Sequence, residues 1–431
     1  MKLCSNKGIK VLTGALAASV LLGGCTFTTN KKPVKNDNNA KTEINLDEVK
    51  TAQFDQEVMD EQYRRYCFDL LSQTVRDYGS ESNVMISPAS VMMALDMVAA
   101  GAKGDSLQQL TDLFAAGQGP LTQQAYASAL MDRINDAKQI DFSCANAVWS
   151  NKTILGDSVN AEYVEYIQDT FNAEYNISKF SSKTPGEINK WVDQHTDHMI
   201  KKVIDSLDPD TVMVLVNAIS FDAKWAEPYE EYQVRENKFT NYEGKEQRVD
   251  FLFGSETSYF ETEKATGFMK PYKGGQYAFL TILPADETVS ANEFAKTFSA
   301  EDYEKFISSR SNAYEVITQM PVFKSDFEFV LNDTIKKLGA EDVFDSKTAD
   351  LSGIAGDPGD IYVSKVIHKT HIEVDSEGTK AAAVTAVTLD AGCAMPDVVE
   401  YRYVECVRPF IYAIVDTETM TPIFIGTVNE V

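Results

Sequence analysis

Residues 375–398 read DSEGTKAAAVTAVTLDAGCAMPDV, a run with no aromatic side chain and few charges. Small and β-branched residues fill the rest. Such a run is either a strand inside a core or an exposed loop able to become one. An extended chain sends alternate side chains to opposite faces. Thr379, Ala381, Ala383, Thr385, Val387, Leu389 and Ala391 share one face, and none is charged. Lys380, Ala382, Val384, Ala386, Thr388 and Asp390 share the other, which takes both charges. The first face can therefore be buried without trapping an unpaired charge, the costliest outcome of burial. At ~3.3 Å per residue, thirteen such residues would span roughly 40 Å. Asp390-Ala391-Gly392 is a poor end for a core strand, and no apolar side chain larger than Met395 follows within 392–396. These features weigh against an ordinary core strand.

The chain opens MKLCSNKGIKVLTGALAASVLLGGC. Lys2, Lys7 and Lys10 make a positive head, and 11–22 is apolar over the length of a signal peptide, too short to span a membrane as a mature helix. Leu21-Leu22-Gly23-Gly24-Cys25 resembles a bacterial lipobox. That resemblance implies removal of residues 1–24 and diacylglyceryl attachment to the Cys25 sulfur, hence a lipid-held place at a membrane outside the cytoplasm. Residues 25–52 are rich in Thr, Asn, Lys and Asp and read as a disordered tether. The remaining cysteines, Cys67, Cys144, Cys393 and Cys406, show no C-x-x-C spacing, so neither a zinc site nor a disulfide framework is argued. Cys67 and Cys144 read as small core residues; a Cys393–Cys406 bridge is left open. The formal charge of −25 becomes −28 once the three signal lysines leave. It argues against nucleic acid as a partner. It fits an extracellular protein that attracts basic proteins.

Helical spacing of apolar residues marks 58–76. Ser87-Pro88-Ala89-Ser90 opens a second, strongly apolar helix over 91–100. Helix formers mixed with Gly fill 102–117, and a further helix is expected from 188 to about 203. Strands are expected at 211–221, buried on both faces, and at 277–283, 314–323 and 361–372. A hairpin joins 410–415 to 423–428. Helices mostly precede strands, which favours one α+β domain over 53–431 with large, mostly antiparallel sheets.

Several patches, in order, resemble the serpin family. Glu377-Gly378-Thr379-Lys380-Ala381-Ala382-Ala383-Val384-Thr385 resembles the hinge of a serpin reactive-centre loop. Asn83 to Ser90 matches the N-x-x-x-S-P-x-S signature at the second helix, and Leu215 to Trp225 the central strand. Asp350-Leu351-Ser352-Gly353 and Val366-Ile367-His368-Lys369 match segments before the loop; Arg408-Pro409-Phe410 and Pro422 to Gly426 match the last strands. The departures are Ser376, where the family usually has an acidic residue, Lys380 for a common Glu, and a longer 393–408 segment.

The resemblance implies a serpin fold, with helices on large β-sheets and an exposed reactive-centre loop at about 376–400. It implies a suicide-substrate inhibitor of serine proteases, not an enzyme, with no cofactor: a monomer whose partner forms a covalent acyl complex before the cut loop inserts into the main sheet. Counting from Gly378 places the reactive bond at Gly392–Cys393, with Ala391, Ala394 and Met395 as alternatives. No Arg, Lys or aromatic residue lies between Asp390 and Val399, which suits shallow elastase-like pockets. Ser87, Ser90, Asn217 and His368 correspond to the family's shutter beneath the sheet, and Trp225 to the breach where insertion begins. Papain-like cysteine proteases, or a non-inhibitory binding or carrier role, are the alternatives. His195-x-x-His198 could share a helix face, whereas His368 and His371 on a strand point apart. Neither pair has a third ligand, and no metal is expected.

Overall fold

The computed structural model describes residues 44–379 and 400–431, apart from 80–81, 116, 138–139, 157–158, 197, 199 and 209. The long helix Gln56–Tyr78 starts at Asp55, whose side chain accepts from Val58 N. Helix Pro88–Ala99 starts at Ser87, which caps it in the same way, with Pro88 in its first turn. Every residue of Pro88–Ala99 is buried, as a helix apolar all round requires. It packs on both β4 (Met213–Lys224) and β16 (Pro422–Val428), so it fills the space between two sheets.

The remaining strands are β1 (Val84–Ile86), β2 (Ile140–Asn151), β3 (Glu174–Ser178), β5 (Val234–Thr240), β6 (Glu246–Glu256) and β7 (Ser258–Glu261). β8 (Ala265–Pro271), β9 (Tyr277–Pro284), β10 (Tyr314–Pro321), β11 (Phe323–Val330) and β12 (Val363–Val374) follow. The last are β13 (Gly378–Thr379), β14 (Glu400–Glu405) and β15 (Phe410–Asp416). The main sheet runs β11-β12-β13-β4-β2-β3, with β12 also paired to β4. A second six-stranded sheet runs β1-β16-β15-β9-β8-β7, and a four-stranded one β14-β10-β6-β5. Most pairs are antiparallel; β12–β4, β2–β3 and β10–β14 are parallel. This is the expected α+β architecture.

Three expectations need correction. The helix expected to reach about residue 203 ends at His195. Thr196 Oγ1 bonds Val192 O and accepts Ile200 N, and Asn189 Oδ1 accepts Val203 N and Ile204 N, which folds the chain back. The single strand expected over 314–323 is two, β10 and β11, divided after Pro321. The packed chain also begins before 53: Leu46–Val49 is a short helix capped by Asn45, and Val49 is buried in the main core. Residues 1–43, including Cys25, lie outside the described residues. Among those described, no helix is long and apolar enough to cross a membrane.

Candidate functional site

β4 and β12 run side by side from Val363↔Met213 to Thr370↔Ile219. Above that point β13 stands between them, antiparallel to both: Gly378 faces Lys224, and Thr379 faces Ala223 on one side and Val374 on the other. Gly378 and Thr379, near the start of the small-residue run, are thus already a wedge in the main sheet. A tight reversal feeds them in. The Asp375 carboxylate accepts Glu377 N (2.8 Å) and Gly378 N (3.1 Å), and Asp375 N donates to Gly378 O (3.0 Å). Only glycine fits at 378, because an added Cβ would stand 2.1 Å from Ala223 O.

Trp225 forms the floor beneath this wedge, 1% exposed. Its indole Nε1 donates to Asp375 O and its backbone N to Glu377 O, both at 2.9 Å. The ring stacks on Tyr272 (4.6 Å between centroids, 10° between planes). Tyr272 OH is 2.6 Å from Thr379 Oγ1, and Thr379 is fully buried. Lys270 and Glu256 form a 2.8 Å ion pair close by, with the Lys270 ammonium over the Tyr229 ring at 4.3 Å. Burial pushes the Glu256 carboxyl up, although Lys270 pulls it down. Tyr229 N donates to Ser376 O, so position 376 is held through its backbone.

Lower along β4 and β12 the structure brings Ser87, Ser90, Asn217 and His368 together. Asn217 and His368 face each other across β4 and β12. Ser87 N donates to His368 Nε2 (3.0 Å), Ser87 Oγ donates to Ile423 O (2.8 Å), and Ser90 N donates to Ser87 Oγ (3.3 Å). Asn217 Nδ2 donates to Asn146 Oδ1 (2.5 Å), and Asn146 Nδ2 to Phe171 O (2.9 Å). The cluster therefore ties the second helix, three strands of the main sheet and β16 through few polar bonds. Sequence reasoning missed Asn146, Tyr272 and Asp375. An amide followed by Ala inside a strand, as in Asn217-Ala218, recurs at Asn146-Ala147 and was the available signal.

Because His368 Nε2 accepts from Ser87 N, the imidazole is neutral, and burial lowers its pKa from 6.5 to about 3. The sign of the pH effect follows. Above pH ~6.5 neither the folded nor the unfolded imidazole is charged; below it the unfolded chain takes up a proton that the folded site refuses. Between pH 6.5 and 5 this one group is expected to remove ~2 kcal/mol of stability. Buried carboxylates with raised pKa, Asp96 and Glu256, act in the opposite sense. The effect is therefore read as the difference between wild type and His368→Gln in denaturant midpoints across that range; parallel pH curves would refute it.

His195 and His198 do not share a helix face. His195 stacks on Trp191, with Nε2 3.3 Å from Glu174; His198 lies past the helix end at φ +63° and meets Asp193 at 2.9 Å. His371 bonds Asp326 at 2.8 Å, away from His368. Among the described residues no group of three or more His, Cys, Asp or Glu could hold a metal ion. Cys67 and Cys406 are buried, and burial pushes the Cys406 thiol up to about 12. Cys144 lies on β2. Cys393 falls outside the described residues, as do Lys380 to Thr385 of the hinge, the bond Gly392–Cys393 and the alternatives Ala391, Ala394 and Met395.

A family model described as Serpin (serine protease inhibitor) matches residues 61–431. Iripin-5 of Ixodes ricinus is 33% identical over 363 residues, covering 81% of this chain and 89% of its own. Leukocyte elastase inhibitor A of Mus musculus is 28% identical over 370 residues, covering 83% and 96%. The crystal structure of Tengpin, a thermophilic serpin, in its native state aligns at a TM-score of 0.79 and 34% identity, over 88% of this chain and 96% of that one.

Proposed function

The chain belongs to the serpin family, and from that premise we propose that it traps serine proteases as a suicide substrate, its loop entering the main sheet after cleavage. The protease serine attacks the loop carbonyl, the peptide bond breaks, and the new amine leaves with the proton. The acyl-enzyme is then carried off as the freed strand inserts, before water can release it.

One observation supports this most: the registers agree. Continued down β4 from its present pairing, the strand would set Thr385 opposite Asn217; continued down β12, it would set Thr385 opposite His368. Asn217 and His368 are already each other's partners. No slip is needed for residues 380–388 to enter; below them the one-residue shift between Val363 and Lys365 has to be absorbed. Thr379 faces inward onto Tyr272, so the uncharged set of alternate residues is the set that would be buried. Lys380 would arrive between Asp222 and Glu373, where a glutamate would meet two like charges. Each inserted residue gains backbone bonds at about 0.5–1.5 kcal/mol net, so some twelve residues contribute on the order of 10 kcal/mol. The uncut form is then metastable and held by a kinetic barrier.

The reactive bond we assign to Gly392–Cys393, with Ala391, Ala394 and Met395 as its near alternatives. Elastase-like enzymes fit the small and aliphatic residues there, and the likeness to a leukocyte elastase inhibitor supports that class. A lipid on Cys25 would hold the protein at a bacterial surface, outside the cytoplasm. The test is incubation with pancreatic elastase. The expected product is a complex that survives SDS and boiling, and mass spectrometry of the released C-terminal peptide then fixes the bond. Clean cleavage with no such complex would contradict the trap.

A further inference from the structure

We propose that the outer face of β14 is a second contact surface for the attacked protease, with Tyr401 and Tyr403 as its anchors. This rests on the inhibitor reading above. Among the described residues β14 is the edge strand of the four-stranded sheet and pairs only with β10. Tyr401 and Tyr403 alternate along it and so share a face. Val404, on the other face, is fully buried, which turns the tyrosines toward solvent: they are 49% and 64% exposed. Among the described residues only seven large apolar side chains are exposed, and two of them stand side by side here. Half-buried Ile317, opposite Tyr403, extends the same face inward; Phe253, in the next row, lies under the Arg235 guanidinium at 4.2 Å. Glu400 and Glu405 are exposed at either end of the strand. Tyrosine anchors with an acidic rim suit a protein surface that is basic beside its cleft.

The occupant follows from chain length. β14 begins at Glu400, eight residues after Gly392 and five after Met395. Covalent geometry puts the strand's start at most ~29 Å or ~18 Å from those candidate bonds. The other anchorage, at Thr379, is thirteen residues from Gly392, up to ~47 Å away. A protease of ~220 residues is roughly 40 Å across. A body of that size, seated on the bait, overhangs the β14 side first. The net charge of −25 would favour a basic partner in that position.

The experiment compares wild type with the double variant Tyr401→Ala/Tyr403→Ala and its conservative control Tyr401→Phe/Tyr403→Phe, using pancreatic elastase as the probe. The alanine pair is expected to slow the second-order rate of complex formation about 10- to 100-fold, the loss of two interface anchors. The phenylalanine pair should keep most of that rate. The number of inhibitor molecules consumed per protease and the melting temperatures of intact and cut protein should not move, since insertion does not use these side chains. Unchanged rates for the alanine pair would overturn the proposal. So would a variant altered only in self-association, which would make this a surface for a second copy. A wild-type chain that forms no SDS-stable complex overturns the inhibitor reading itself and this contact with it.

Discussion

Thr385→Arg is expected to turn the trap into an ordinary substrate. The loop would still be attacked and cut, and residues 380–384 could still enter. At 385 the guanidinium would then have to pass between Asn217 and His368, onto the fully buried helix Pro88–Ala99. No carboxylate stands in that cluster; its polar groups are hydroxyls, amides and a neutral imidazole. Burying an unpaired charge there costs several kcal/mol. Each ~1.4 kcal/mol added to the insertion barrier slows it tenfold, whereas deacylation is untouched. Insertion therefore loses the race. Inhibitor consumed per protease should rise from about one to on the order of ten or more by that partition, and SDS-stable complex should nearly vanish. The melting temperature of the intact protein should barely change, because before the cut Asn217 and His368 pair directly with each other. An undiminished yield of complex would show that position 385 never reaches the cluster.

The faces of the loop are more legible in the sequence than the fold is. Confinement of both charges, Lys380 and Asp390, to one alternate set marks which face can be buried, and the structure orients Thr379 accordingly, inward onto Tyr272. Helix Pro88–Ala99 and β4 are legible because their apolar runs are nearly unbroken. β2 is not, because Ser143, Asn146 and small alanines interrupt its pattern, although it lies beside β4 along its whole length. β5 and β6 escape for a different reason: they face solvent on one side and are rich in charge. Of the site, Ser87, Ser90, Asn217, His368 and Trp225 could be placed from their motifs. Tyr272 and Asp375 could not, since nothing local distinguishes a tyrosine that will meet Thr379 from one that merely fills a core. The end of the helix at His195 is equally non-local, set by Asn189 reaching Val203 and Ile204.

The largest effect expected is on heat stability. In the uncut form Gly378 and Thr379 are the described residues of the loop that stand in the main sheet, and β4 and β12 pair directly with each other below them. Severing the loop frees its N-terminal part to move. The agreeing registers let residues 380–388 bond to both neighbours at once, for on the order of 10 kcal/mol. At about 2–4 °C per kcal/mol, the cut protein should melt roughly 20–40 °C higher than the intact one. Scan rate will shift the intact value, because that form escapes over a barrier rather than unfolding at equilibrium. The decisive measurement is thus a thermal melt of the protein before and after limited cleavage near Gly392. A rise of tens of degrees is what a strand with a deeper home in the sheet predicts; identical melting temperatures would mean that the loop never leaves solvent and that no trap exists.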